Sequence, residues 1–288
     1  LDLSADRFCV NRELGGFSID GGEPTRHPAG LSGRTLDVNC HIMHGIKTRL
    51  QNSLLCVRQV PLEVEDLVFA PLATAQMVLT RQQKDSGALL IDIGGGTTDF
   101  ICYKGGDVVA SGCIPMGGNN INQEIVRLTD QRVSLKAAEV LKRTEGNAFG
   151  DIKDHSLAQY KSELGMHDVT IERGQLNRII RNSLAAMLLS VRDRIPAELF
   201  KSGMSIYLSG GTSFMRGLDG LCHYIFGGIP VHQPSPLPPG HNHSYLQDPR
   251  YCTAVGLIRY AQRYDDDAIN PRHGSWLARL LQSLGLRR

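Results

Sequence analysis

Ala88-Leu-Leu-Ile-Asp-Ile93, Gly94-Gly95-Gly96-Thr97-Thr98-Asp99 and Phe100-Ile-Cys-Tyr103 form the most patterned stretch of the chain. The apolar run predicts a strand, the glycines a turn, and the second run a returning strand. A third strand is expected over Val108–Ser111, after the Gly105-Gly106 turn. Three consecutive glycines leave no Cβ between backbone and ligand. Their N–H groups are therefore free to converge on phosphate oxygens. The hydroxyls of Thr97 and Thr98 add donors. Asp92 and Asp99 stand where hydrated Mg²⁺ takes carboxylates, so Asp92 is the candidate catalytic and metal-positioning residue. The pattern is neither a Walker loop, since no Gly-Lys-Ser/Thr follows, nor a Rossmann turn, since the glycines join two strands. An ordinary hairpin would explain a glycine triplet alone. Flanking aspartates and the Thr-Thr pair favour phosphate.

Two further pieces follow in order. Glu139-Val-Leu-Lys142 places an acid and a base on one helix face, and such a pair clasps ribose hydroxyls. By itself it reads as a solvated ion pair. Ser209-Gly210-Gly211-Thr212-Ser213 is a second glycine turn after the expected strand Ser205–Leu208, fit for close approach to a nucleobase or phosphate. By itself it is a turn. The three in sequence are far more specific than any one of them.

Around these, residues 1–60 read as short strands between turns, with a helical stripe over Ile46–Val57. Val64–Ala70 reads as a strand and Pro71–Thr80 as a short helix. Helices are expected over Ile121–Leu128, Leu135–Thr144, Arg173–Phe200, Gly217–Phe226 and Thr253–Tyr260, with a possible strand at Val169–Ile171. Strand and helix alternate, so the class is α/β.

At 288 residues, 41% hydrophobic and 21% charged, the composition is that of a globular protein and excludes a disordered or coiled-coil chain. A net charge of +2 gives no sign of a nucleic-acid partner. The seven cysteines lack a Cys-x-x-Cys pair, which reads as reduced thiols rather than disulfides or zinc, with Cys113 a buried structural thiol. His232, His241 and His243 lie around a proline-rich loop without a cysteine or carboxylate cluster, so no metal site is assigned to them. No apolar run reaches the roughly 18 residues of a membrane span, and the N-terminus does not read as a signal peptide.

The order of motifs resembles the actin-like ATPase superfamily. Pro28-Ala-Gly-Leu-Ser-Gly-Arg-Thr-Leu36, Leu62-Glu-Val-Glu-Asp-Leu67, Pro71-Leu-Ala73 with Leu79-Thr80, Ala88–Phe100, Ile114-Pro-Met-Gly-Gly-Asn119, Leu208–Leu218 and Thr253-Ala-Val-Gly-Leu257 together resemble the bacterial cell-division family FtsA. The resemblance implies an actin-like (ribonuclease H-like) two-lobed fold closing on ATP and Mg²⁺. Asp92 and Gly94, Gly95, Gly96, Thr97 and Thr98 would form the second phosphate motif. Glu139 and Lys142 would contact ribose, and Gly210, Gly211 and Thr212 adenosine. It further implies a protomer-contact subdomain at 1–62, a remnant of the first lobe at 63–85, and a second lobe at 86–118 and 203–250. A helical subdomain that also binds the FtsZ C-terminal tail would span 119–202, and a return helix 251–262. Thr212 and Glu124 depart from the family's Gly and Asp. Nothing before residue 88 resembles the family's first phosphate hairpin, Asp-x-Gly-Ser/Thr. The chain is thus expected either to be N-terminally incomplete, which the Leu start favours, or to hold ATP in an altered way.

After a polar linker at 263–273, residues 274–288 predict an amphipathic helix. Trp276, Leu277, Leu280, Leu281 and Leu284 fall within about 140° of arc on a wheel of 100° per residue. Arg279 lies outside that arc, and Arg287 and Arg288 end the chain. Such a helix lies in the interface of an anionic membrane; docking on the protein's own core is the plainer alternative. The resulting expectation is a peripheral protein on the cytoplasmic face of the inner membrane at the division site. It would link FtsZ filaments to lipid, polymerise with itself, meet other division proteins and hydrolyse ATP slowly at most. A metabolic phosphotransferase of the same superfamily, or an actin-like pilus-assembly scaffold, is the alternative.

Overall fold

The computed structural model describes residues 3–60, 62–129, 133–161, 169–201, 203–234 and 248–269. Its centre is β3 (Ala88–Ile93), apolar at every position but Asp92, which marks a strand covered on both faces. β4 (Thr98–Lys104) runs antiparallel to it, and β5 (Asp107–Ile114) runs antiparallel to β4. β8 (Ser205–Ser209) and β9 (Val231–His232) extend the other edge in parallel, giving the order β5-β4-β3-β8-β9. Ile93 pairs with Thr98, so residues 94–97 form the connecting turn. Asp92 also pairs in parallel with Ser209, which brings the second glycine turn to the same end of the sheet. Ligands of open α/β sheets bind outside such carboxyl ends.

Side chains alternate between the two faces of a strand. Leu89, Ile91, Ile93, Phe100 and Cys102 pack beneath α4 (Gly118–Leu128), α5 (Leu135–Thr144), α6 (Arg173–Arg192) and α7 (Leu218–Ile225). Ala88, Leu90, Ile101 and Tyr103 pack instead against α2 (Ala70–Val78) and α8 (Cys252–Ile269). Burying an aliphatic or aromatic side chain such as Leu90 contributes about 1.5–3 kcal/mol. α2 carries Pro71 in its first turn, where a missing N–H costs nothing. α2 and α8 meet closely at Gly256, where a Cβ would lie 2.1 Å from the Ala73 carbonyl oxygen.

Before the sheet comes a bulged hairpin of two long strands, β1 (Arg7–Ile19) and β2 (Leu36–Ile46), followed by α1 (Lys47–Arg58). It replaces the short strands expected there. α1 buries no residue.

Residues 64–70 are not a strand: 64–69 join no described sheet, Ala70 opens α2, and the Phe69 N–H donates to the Asn11 side chain at 2.7 Å. The helix expected to reach Phe200 stops at Arg192, because Pro196 cannot continue it; Ala197–Lys201 is a 3₁₀ turn. β6 (Leu157–Tyr160), unexpected from sequence, pairs with β7 (Val169–Glu172). α3 (Arg81–Ser86) is held by a Thr80–Gln83 capping box. The linker expected from 263 is helical to Ile269, since the acidic run contains no breaker before Pro271. The amphipathic segment, with Trp276, Leu277, Arg279, Leu280, Leu281, Leu284, Arg287 and Arg288, lies outside the described residues.

Candidate functional site

Built upward from the glycine triplet, the site is a set of turns pressed against one another. Gly94 N–H donates to Thr97 O at 2.9 Å and closes the hairpin. The first N–H groups of α4 turn back onto it: Gly118 donates to Gly94 O (2.9 Å) and Asn119 to Gly95 O (2.8 Å). These donors, orphans in an isolated helix, thus fix the hairpin. Gly117 permits the contact, because a Cβ there would lie 2.7 Å from the carbonyl oxygens of Gly94 and Gly95. The second turn joins from β8, where the Thr212 hydroxyl donates to Gly94 O at 3.2 Å. Gly210 is required twice over: its φ is +84°, and a Cβ would lie 2.4 Å from Asp92 Oδ1. Among the described residues the amides of Gly95, Gly96 and Thr97 have no protein partner.

The acid–base pair of α5 completes the enclosure. Lys142 is 5% exposed. Its ammonium donates to Glu139 Oε2 at 2.5 Å and to Gly118 O at 3.1 Å. Glu139 also accepts from Asn122 at 2.7 Å. Burial pushes the Glu139 carboxyl up, but the bonds from Lys142 and Asn122 outweigh it and hold the group below its ordinary range. This is not a solvated surface pair. It is anchored through Lys142 to the same backbone that carries the hairpin.

The resulting cavity is about 470 Å³, with Gly94, Gly95, Gly118 and Asn119 on one side, Glu139, Lys142 and Arg143 on the second, and Gly211, Thr212, Phe214, Met215 and Arg250 on the third. Of the expected site residues, Gly94, Gly95, Glu139, Lys142, Gly211 and Thr212 line it. Gly96, Thr97, Thr98, Asp92 and Gly210 do not.

Three of these do something other than expected. The Thr98 side chain is fully buried and its hydroxyl donates to Met116 O at 2.8 Å, so it is no free phosphate donor. Thr97 donates to Asp99 at 2.9 Å. Asp92 falls on the same strand face as Leu90 and points at α2 and α8, accepting from Thr253 (3.2 Å) and Thr74 (3.5 Å). Burial pushes its carboxyl up, and the nearby Ser209 and Thr253 hydroxyls offset part of that. Cys113 is exposed and not a buried thiol, because β5 is the edge strand.

Sequence reading missed Gly118, Asn119, Arg143, Phe214, Met215 and Arg250. Phe214 and Met215 directly follow the second glycine turn, and Arg143 follows Lys142, so their places were within reach. Arg250 had no signal: a turn over Pro249–Tyr251, capped by Asp248, carries it to the rim. Among the described residues, no group of three or more His, Cys, Asp or Glu side chains could hold a metal ion. His232 stacks on Tyr207; His241 and His243 lie outside the described residues.

The donor set suits a nucleotide. Its volume is within the roughly 300–1,000 Å³ of small-molecule pockets. Unpartnered glycine amides meet a rim carrying Arg143 and Arg250, and a polar pair stands opposite an apolar wall of Phe214 and Met215. A Mg²⁺ ion keeps most of its waters and takes one or two carboxylates beside the phosphates; Asp92, which does not line the cavity, would meet such an ion only through water.

The family model for cell division protein FtsA matches residues 89–256. The chain belongs to the FtsA family. A cell division protein FtsA of Neisseria meningitidis is 31% identical over 282 residues, covering 96% of this chain and 67% of that protein. One of Rhizobium meliloti is 30% identical over 273 residues, covering 91% and 60%. The chain thus spans about two thirds or less of its curated FtsA relatives.

Structure agrees on the fold. The ADP-bound MreB5 of Spiroplasma citri superposes with a TM-score of 0.61 at 19% identity, covering 78% of this chain and 68% of that one. A PilM–PilN type IV pilus biogenesis complex gives 0.58 at 21%, covering 85% and 65%. The expected actin-like α/β fold is therefore established. Family membership sets the chain among division proteins, against the phosphotransferase and pilus-scaffold alternatives.

Proposed function

We propose that this FtsA-family chain is the ATP-holding part of a protein that links FtsZ filaments to the cytoplasmic face of the membrane. One observation carries the reading. Two glycine turns and an acid–base pair with a buried lysine, far apart in sequence, converge on one cavity at the carboxyl end of a parallel strand pair.

ATP supplies charge and a cleavable phosphoanhydride. The residues bind and orient it. The amide of Gly95 takes phosphate oxygens in the cavity, and those of Gly96 and Thr97, next along the same turn, extend that set beyond its lining. Glu139 and Lys142 hold the ribose hydroxyls as acceptor and donor. Gly211, Thr212 and Phe214 form the wall for the base. Asp92 meets Mg²⁺ through water, and turnover is slow.

The hairpin subdomain within residues 1–62 serves protomer contacts in a filament. The helical region 119–202 takes the FtsZ tail, and residues 274–288 anchor the body to anionic lipid. No described helix is long and apolar enough to cross a membrane.

The test is flotation with anionic vesicles carrying a labelled FtsZ tail peptide. The intact chain should float and bring the peptide with it. The chain without 275–288 should stay at the bottom. An intact chain that leaves the vesicles bare contradicts the tether.

A further inference from the structure

We propose that Arg216 is a positioning residue. It straps the end of α5 to the segment that follows the second glycine turn, and so fixes the distance between the ribose wall and the base wall of the cavity. This rests on the nucleotide reading above.

α5 ends at Thr144, two residues after Lys142. The last carbonyls of a helix have no partner within it. Leu141 O is served by the N–H groups of Glu145 (2.9 Å) and Gly146 (3.1 Å). Thr144 O instead receives Nη2 of Arg216, and Gly146 O receives its Nε at 3.3 Å. A cation at a helix C-terminus also meets the negative end of the helix dipole. One planar fork thus bonds two carbonyls around the end of α5, which a lysine ammonium cannot match in geometry.

Arg216 immediately follows Met215, the last cavity residue of the opposite wall. Its own carbonyl accepts from Ala148 N–H at 2.7 Å. Gly217 lets the two segments approach: its φ is +74°, and a Cβ would lie 2.7 Å from the Phe149 nitrogen. The far side of the same loop is held independently by α6, where Asn177 accepts from Asn147 N–H at 2.9 Å and Arg181 donates to Ala148 O at 3.1 Å. The loop is therefore seated on α6 whether or not Arg216 is present. What Arg216 adds is the tie between the two walls. Its side chain is exposed and does not line the cavity, so it acts only through α5.

The experiment compares Kd for ATP and for 2′-deoxy-ATP, by calorimetry on the full chain, for wild type, Arg216→Gln and Arg216→Lys, with Tm recorded for each. Wild type should prefer ATP. Arg216→Gln should lose up to about tenfold in ATP affinity, the size of one net charge-assisted hydrogen bond. Its affinity for the deoxy compound should change little, so that the preference collapses. Arg216→Lys should fall between. A Gln variant that keeps the wild-type preference, or loses both ligands equally with a lowered Tm, overturns the strap while leaving the site reading in place. A wild type without preference for ATP removes the ribose reading and the strap with it.

Discussion

The sheet β5-β4-β3-β8-β9 and the hairpin β1–β2 are both made of strands with apolar residues, yet they are held by different forces. Every residue of β3 except Asp92 is buried, and both of its faces are covered by helices. The strands of the hairpin bury only Asn11, Phe17 and Met43; Met43 joins the apolar cluster beneath α2 and α8, and the other links to the rest of the molecule include polar ties. Arg26 bridges Asp85 (3.4 Å) and Asp107 (2.8 Å), His41 Nε2 meets the Ser111 hydroxyl at 2.8 Å, and Asn11 takes the Phe69 N–H. A sheet sealed on both faces resists change and presents a site at its end. The hairpin, tied by one apolar residue and a few polar bonds, has less buried area holding it to the body.

The largest test of this contrast is Phe100→Ala. Removing a fully buried ring from the sheet should cost about 3–5 kcal/mol, or roughly 6–20 °C in Tm by calorimetry. Leu14→Ala in the half-buried hairpin should cost about 1 kcal/mol or less. Equal losses would erase the distinction.

Asp92→Asn tests the one flaw in the buried strand. Burial raises the carboxyl pKa above its ordinary 3.8, so the folded state resists ionisation. Below that value both folded and unfolded chains are protonated and there is no penalty. Above it the wild type loses stability as pH rises through the raised pKa. The Asn variant should therefore match wild type near pH 3.5 and exceed it at pH 7, by about 2–4 °C for each kcal/mol removed. A gain confined to low pH would contradict the sign.

Arg26→Ala should have the smallest effect on stability, about 0–1 kcal/mol, because its ion pairs are partly exposed. Its signature is local: amide exchange should quicken across β1 and β2 and stay unchanged in β3. Exchange that quickens throughout would mean that the hairpin belongs to the same cooperative unit.

The contrast also explains what could be read in advance. A buried strand declares itself through a nearly continuous apolar run, broken in β3 only by Asp92, and a glycine triplet declares the turn, so β3, β4 and the hairpin between them were legible. The acid–base pair of α5 was legible by spacing. The direction of Asp92 followed from strand alternation once the two faces were known, but which face carries which helices is a tertiary fact. Thr98 likewise spends its hydroxyl on Met116, a partner 18 residues away that no local pattern announces. Arg250 and Arg216 reach the site or its frame through turns whose importance appears only when the second glycine turn and α5 are brought together. Around the hairpin, half-exposed strands with bulges gave a weaker period and were read as shorter pieces than they are.

The central claim is that the cavity between the glycine hairpin, α5 and the second glycine turn holds a nucleotide. Calorimetric titration of the full chain with Mg²⁺–ATP, beside Lys142→Gln, tests it most directly. Saturable binding at one site, weakened by about tenfold or more in the variant through loss of a buried charged hydrogen bond, is the predicted result. No binding heat, or equal affinity in both proteins, would contradict it.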